Sequence, residues 1–81
     1  MTEADIKKVI ETGLLKIAPE ADFSELSPGE NIREELDIDS FDFLNFLIGL
    51  NEELGIEIPE SDYEKLISMN DLVAYLSERL K

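Results

Sequence analysis

Residues 36–55, LDIDSFDFLNFLIGLNEELG, decide the fold because they predict a central helix. The helix should run from about Ser40 to Leu54, since Asp39 and Ser40 are both residue types that cap helix N-termini. Gly55 suits the left-handed position that follows a helix. Apolar residues recur along one face at helical spacing and predict its buried side: Phe43, Phe46, Leu47, Leu50 and Leu54.

A second apolar strip lies along a different line of the same helix and consists of Phe41, Leu44 and Ile48. Polar and acidic residues flank it: Asp39, Asp42, Asn45, Glu52 and Glu53. Two interpretations stay open at this point. The helix is either central and buried on most sides, or it exposes the strip as a docking surface for a partner that is basic around an apolar centre.

The flanking sequence predicts further helices. A first helix is expected near residues 3–17, opened by a capping box between Thr2 and Asp5 and ended before Pro19. From Ala18 to Asp39 the periodicity lapses, which predicts a long loop anchored by scattered apolar residues: Phe23, Leu26, Ile32 and Leu36.

After the central helix, residues 60–66 predict a short helix whose Tyr63, Leu66 and Ile67 face inward. Residues 68–71 offer a capping box for a last helix, whose inward residues are Leu72, Val73, Tyr75, Leu76 and Leu80. The predicted fold is therefore all-α, a small four-helix bundle of three main helices and one short helix, with a long loop between the first and second. We expect a single domain over residues 1–81.

Composition limits the possible functions. The 81 residues include 20 Asp and Glu against 7 Lys and Arg, a net charge of −13. Nucleic acids and anionic membranes would be repelled, so basic protein surfaces are the expected partners. The chain has no cysteine and no histidine, which excludes disulfides and thiolate or imidazole metal sites. Without a signal-peptide pattern or a membrane-spanning run, we expect a cytoplasmic protein with no stable membrane insertion. We also expect a monomer.

Ser40 stands at the start of the central helix. The plain interpretation of such a serine is a helix cap. A catalytic nucleophile is excluded because no histidine can activate it and its sequence neighbours are carboxylates. Ser40 is therefore either structural or an acceptor that another enzyme modifies.

The run Leu36-Asp37-Ile38-Asp39-Ser40-Phe41-Asp42 resembles the phosphopantetheine attachment motif of acyl carrier proteins, whose core is Asp-Ser-Leu. The order of elements is also similar over the whole chain. Residues 52–59, EELGIEIP, are similar to the segment that closes the second helix in that family.

The resemblance implies a function. A phosphopantetheinyl transferase would attach 4′-phosphopantetheine, taken from coenzyme A, to Ser40. Acyl groups would then travel on the arm as thioesters during fatty acid, polyketide or related lipid biosynthesis, so the chain itself would not be an enzyme. By analogy, acyl-transferring and acyl-modifying enzymes with basic docking patches would contact Asp39, Phe41, Asp42, Leu44, Ile48, Glu52, Glu53 and Glu57.

The chain departs from the usual family pattern in several places. Asp37 replaces the usual glycine before the serine, although aspartate tolerates left-handed geometry better than most residues. Phe41 replaces leucine, and Asn45 and Asn51 stand where glutamate is frequent. These differences favour a specialised carrier with its own set of partner enzymes.

Two alternatives are weaker. Asp37 and Asp39 begin like a calcium-binding loop, but Phe41, Asp42 and Ile48 occupy positions where that loop needs a ligand, glycine and glutamate. No metal site is therefore expected. The serious alternative is an acidic helical interaction module that is never modified.

Overall fold

The computed structural model describes residues 2–80, and all regular secondary structure in that range is helical, with no strand. The α-helices are α1 (Glu3–Ile17), α2 (Ile32–Glu35), α3 (Ser40–Leu54) and α4 (Met69–Arg79), and short 3-10 helices occupy Phe23–Glu25 and Glu60–Lys65. The predicted all-α bundle with three main helices is confirmed.

Helix α1 forms where its capping box and its apolar spacing place it. Thr2 Oγ1 accepts a hydrogen bond from the Asp5 amide, and the Asp5 carboxylate accepts one from the Thr2 amide, at 3.2 and 3.1 Å. Two amide donors at this helix end are thus satisfied. Ile6, Ile10 and Leu14 then form the buried stripe.

Helix α3 is capped by Asp39 and not by Ser40. Asp39 Oδ1 accepts a hydrogen bond from the Asp42 amide at 2.8 Å, and Ser40 is the first helical residue. The interpretation of Ser40 as the cap is therefore wrong, because its neighbour already fills that role. Gly55 ends the helix at φ 65°, as predicted.

The predicted loop from Ala18 to Asp39 contains more structure than its sequence indicates. Asn31 Oδ1 accepts hydrogen bonds from the amides of Arg33 and Glu34 and so starts the single-turn helix α2. Ile32 is fully buried, and its amide donates to the Ile67 carbonyl at 2.8 Å. One buried anchor is too little for a periodic signal, which is why the sequence shows only a lapse.

The predicted short helix near residues 60–66 is a six-residue 3-10 helix, Glu60–Lys65. Leu66 is buried and Tyr63 is half-buried, as expected. The prediction for Ile67 is wrong, since its side chain is 44 % exposed. The helix ends before Leu66, and neighbouring side chains of non-helical backbone point to different sides.

The core lies where α1 packs against α3 and α4. Gly13 allows the close approach of α1 to α3, because a Cβ atom there would lie 2.8 Å from the Phe46 ring. Helix α4 is capped by Ser68, whose Oγ accepts a hydrogen bond from the Asp71 amide at 3.1 Å, and it buries Leu72 and Leu76 completely. The face of α3 that carries Ser40 is left outside this packing.

Candidate functional site

Ser40 is exposed in the first turn of α3, and its hydroxyl has no hydrogen-bond partner among residues 2–80. Because Asp39 caps the helix, the Ser40 hydroxyl is not needed for capping. The first backbone amides of a helix have no intrahelical acceptor, so they give this end a partial positive charge. The side chain is therefore free at a position that favours an anion.

A groove of about 540 Å³ begins at Ser40. One wall is formed by α3 and the other by the segment that follows Pro59. The lining is largely apolar with a charged rim and consists of Arg33, Ser40, Phe41, Phe43, Leu44, Leu47, Glu60, Tyr63, Glu64, Leu66 and Ile67. We call this space the Ser40 groove. Its apolar floor can receive a hydrocarbon chain that starts at the serine.

A second groove of about 630 Å³ lies on the other flank of the α3 N-terminus, between the end of α1 and residues 35–38. It is rich in carboxylates: Glu20, Asp22, Glu25, Glu35, Asp37 and Asp42. A hydrogen bond to Glu30, together with the charge of that carboxylate, raises the pKa of Glu35. The start of α3 thus separates an apolar groove from an acidic one.

The turn before Ser40 depends on an unusual backbone. Asp37 has φ 53°, in the left-handed region, as its replacement of the usual glycine suggested. The amide of Ile38, which is buried, donates to the Arg33 carbonyl at 2.9 Å. Together these features fix the direction from which the chain enters α3.

The second apolar strip of α3 is exposed. Phe41 is 69 % and Ile48 is 42 % exposed, and Leu44 is half-buried. The interpretation that α3 is buried on most sides is therefore wrong. An apolar strip of this kind on a small protein indicates a contact surface.

The acidic residues predicted to surround this strip do not all share its face. Glu52 lies near the strip. Asp42 lies roughly 100° around the helix from Phe41, and Glu53 lies roughly 100° around it from Glu52, so both lie to one side of the strip. Asp42 accordingly lines the acidic groove. Glu57 follows the end of α3 and lies in a shallow depression with Arg79.

The structure also brings residues to the site that the sequence did not single out. Arg33 is the basic residue that lines the Ser40 groove, and Glu60 and Glu64 stand on its rim. Their spacing in the sequence gives no local signal, because α2 and the segment after Pro59 meet only in the folded chain.

Within residues 2–80, no group of three or more acidic, histidine or cysteine residues is placed to hold a metal ion. No helix in the same range is long and apolar enough to cross a membrane.

Comparison with known proteins decides the family. A family model described as "Phosphopantetheine attachment site" matches residues 5–76. An acyl carrier protein of Campylobacter hominis is 42 % identical over 62 residues, which cover 76 % of this chain and 73 % of that protein. The chain belongs to the acyl carrier protein family. An acyl carrier protein of Rubrobacter xylanophilus is 37 % identical over 57 residues (70 % of each chain), and one of Helicobacter pylori is 29 % identical over 76 residues (94 % of this chain and 86 % of that protein).

Family membership confirms the predicted function, that of an acyl carrier with covalently attached 4′-phosphopantetheine. Acyl carrier proteins are carriers rather than catalysts, and the family implies contact with a phosphopantetheinyl transferase and with acyl-handling enzymes. None of these comparisons supports the alternative of an unmodified interaction module.

Proposed function

We propose that Ser40 is the residue to which 4′-phosphopantetheine is attached, and that the carrier serves fatty acid, polyketide or related lipid biosynthesis. The observation that carries this proposal is the exposed Ser40 hydroxyl, which does not cap α3 because Asp39 is the N-cap. It lies at a helix N-terminus and at the mouth of an apolar groove.

The residues around Ser40 fit a phosphodiester and an attached chain. The amides of the first α3 turn and the guanidinium of Arg33 would hold the phosphate, since both favour an anion. Asp37, Asp39 and Asp42 oppose it electrostatically. We therefore assign these carboxylates to contacts with basic partner enzymes, which approach faster when charges are complementary.

Loading requires a second protein, because the chain has no histidine and the groups beside Ser40 are aspartate carboxylates, which are weak bases. The transferase forms the bond between Ser40 Oγ and the phosphorus of coenzyme A that bears the pantetheine. The bond from that phosphorus to the adenosine bisphosphate half breaks, and the serine proton leaves with a base of the transferase. Once bound, the arm supplies a terminal thiol for thioesters, which this cysteine-free chain lacks. The chain itself is not an enzyme in this proposal.

Partner enzymes would contact the exposed strip formed by Phe41, Leu44 and Ile48. Glu52 lies close enough to add charge to that contact, and Asp39 lies at the end nearest the serine. Asp42, Glu53 and Glu57 would be reached only by partners that extend around α3. The departures at Phe41, Asn45 and Asn51 support a specialised set of partners. Turnover of the loaded carrier by the host's common ketoacyl synthases should then be poor, and ordinary turnover would contradict this part of the proposal.

The proposal is tested by intact mass after incubation with coenzyme A, magnesium and a promiscuous phosphopantetheinyl transferase. We expect a phosphopantetheine increment on the wild type and on Ser61→Ala, a matched exposed-serine control, but none on Ser40→Ala. An increment on folded Ser40→Ala would contradict the assignment of the residue. No increment on folded wild type with several transferases would contradict the proposed function.

A cytoplasmic location, a monomeric state and a single domain over residues 1–81 stay predictions. Cell fractionation, sedimentation and limited proteolysis would test them in turn.

A further inference from the structure

Asp62 is the centre of a side-chain cluster on the side of the molecule that faces α4. The Tyr75 hydroxyl donates to Asp62 Oδ2 at 2.6 Å, and Arg79 Nη2 lies 3.3 Å from the same oxygen. Lys65 Nζ lies 3.6 Å from Oδ1. The Arg79 guanidinium also stacks on the Tyr75 ring, 4.1 Å from its centroid. We call Asp62, Lys65, Tyr75 and Arg79 the Asp62 clamp.

The clamp concentrates the charge pairing of a very acidic chain. Leaving Glu78 aside, the ion pairs between residues 2–80 both end on Asp62. The tyrosine hydrogen bond lowers the pKa of Asp62, and the two cations add to the effect. Asp62 is also largely covered, with 18 % of its side chain exposed. Solvent therefore screens the contacts of Asp62 with Tyr75 and Arg79 less than ordinary surface pairs, whereas the Lys65 side chain is exposed.

The segment that carries Asp62 places few of its own side chains in the core. Glu60–Lys65 contributes no buried side chain, and its N-cap, Pro59, makes no side-chain capping bond. Tyr63 is half-buried and packs against the core, and the buried residues Ile58 and Leu66 fix the two ends of the segment. Segments with few buried contacts open locally at low free-energy cost. The clamp therefore ties the middle of Glu60–Lys65, between these fixed ends, to α4.

The same segment forms one wall of the Ser40 groove. Glu60, Tyr63 and Glu64 line the groove from this side, and Leu66 and Ile67 continue the wall. The opposite wall belongs to α3, which is packed firmly against α1. The width of the groove therefore depends on where Glu60–Lys65 lies, while the α3 wall stays fixed.

We propose that Tyr75 and Arg79 are positioning residues that act through Asp62 to hold residues 60–65 as the movable part of the Ser40 groove wall, and so set the length of saturated acyl chain that the groove shelters. The inference rests on the proposed attachment at Ser40. Neither residue touches the groove. Their effect on the cargo is therefore indirect, through the position of the wall.

The first part of the test uses the unmodified protein and amide hydrogen exchange. Three reporter amides depend on the wall: Asp62 bonds to Pro59, Leu66 to Tyr63, and Ile32 to Ile67. Tyr75→Phe removes one hydroxyl and keeps the ring under Arg79. We expect it to speed exchange at these reporters roughly 2- to 10-fold, the factor that one net hydrogen bond supports.

Two controls separate positioning from general weakening. Tyr63→Phe removes a hydroxyl group from the wall itself. That hydroxyl has no hydrogen-bond partner among residues 2–80, so the exchange rates of the reporter amides should not change. Ile10→Val truncates the α1 core and lowers global stability without touching the clamp. It should speed only the amides that exchange by global unfolding. Equal acceleration at all amides in Tyr75→Phe would overturn the inference.

The second part uses proteins loaded with saturated acyl chains of increasing length and measures thioester cleavage by hydroxylamine. In the wild type and in Ile10→Val, protection should depend on chain length in the same way. In Tyr75→Phe the length of greatest protection should shift or the protection should fall. If the reporters open but cleavage rates match the wild type at every length, the wall does not control shelter and the inference is wrong. Failure of the wild type to load would instead count against the proposed function, and the exchange result would still decide whether the clamp holds the wall.

Discussion

Replacing Asp39 with alanine should destabilise the protein, whereas replacing the adjacent Ser40 should not. Asp39 Oδ1 accepts the Asp42 amide at 2.8 Å, and losing such a cap costs about 1 kcal/mol. Removing one negative charge from a chain of net charge −13 also relieves repulsion, which offsets the loss by a few tenths of about 1 kcal/mol because the charges are exposed. The net loss should lower the melting temperature by roughly 4–8 °C per kcal/mol in a domain of this size.

Ser40→Ala gives the contrast. The serine is exposed at the first helical position and its hydroxyl bonds to nothing among residues 2–80. Alanine has the higher helix propensity, by at most about 0.5 kcal/mol, so the variant should be neutral or slightly more stable. Asp39→Asn is the matched control, because asparagine caps about as well as aspartate and carries no charge. It should match or exceed the wild type.

The assay is thermal and urea unfolding of all four proteins without the arm, with mass spectrometry confirming that none is modified. Changes should appear in the transition midpoint and not in the urea slope. Equal losses in Ser40→Ala and Asp39→Ala would refute the reasoning, because they would make the serine a cap. Its hydroxyl would then be committed to structure before any transferase arrived.

Three further predictions follow from individual residues. Gly13→Ala should cost about 1–3 kcal/mol by pressing on the Phe46 ring, whereas Gly49→Ala, with nothing within 4 Å, should gain about 1 kcal/mol in urea unfolding; similar results for both would contradict the close approach of α1 and α3. Asp37→Gly should be at least as stable as the wild type and Asp37→Val clearly less stable, because φ is 53° there; a stable valine variant would exclude backbone strain. The Tyr75 hydrogen bond lowers the folded-state pKa of Asp62, so its stabilising effect is present above the ordinary carboxyl pKa of about 3.9 and is lost as the pH falls through the folded-state pKa. Tyr75→Phe should therefore reduce the loss of unfolding free energy over this acidic range. An unchanged dependence of stability on pH would show that the hydrogen bond does not couple Asp62 ionisation to folding.

Local signals account for what the sequence predicted well. The bounds of α1 and α3 follow from capping residues, apolar spacing and Gly55, all of which act within a few residues. The left-handed Asp37 was also foreseeable, because a specific residue type stands at a turn. Ser40 could be singled out from its motif, although the cap beside it could not be assigned between two suitable residue types.

Long-range contacts account for what was missed. Helix α2 exists because Asn31 caps it and Ile32 enters the core, and a single buried residue leaves no periodic trace. Ile67 turns outward because the segment before it is a 3-10 helix that stops early. The clamp joins Asp62 to a tyrosine thirteen positions away. No local rule pairs these residues, so only the fold reveals the clamp.

The exposure of the Phe41 strip follows from the size of the bundle. Helix α1 packs against both α3 and α4, so the main helices cover α3 from one side only. The segment Glu60–Lys65 is too short to cover the other side and closes only the groove beside Ser40. An apolar strip on a small protein would favour self-association, but the net charge of −13 opposes contact between copies. The same charge does not oppose a basic enzyme. Size and charge together therefore leave this surface open to partners of the opposite charge, beside Ser40, the proposed attachment residue.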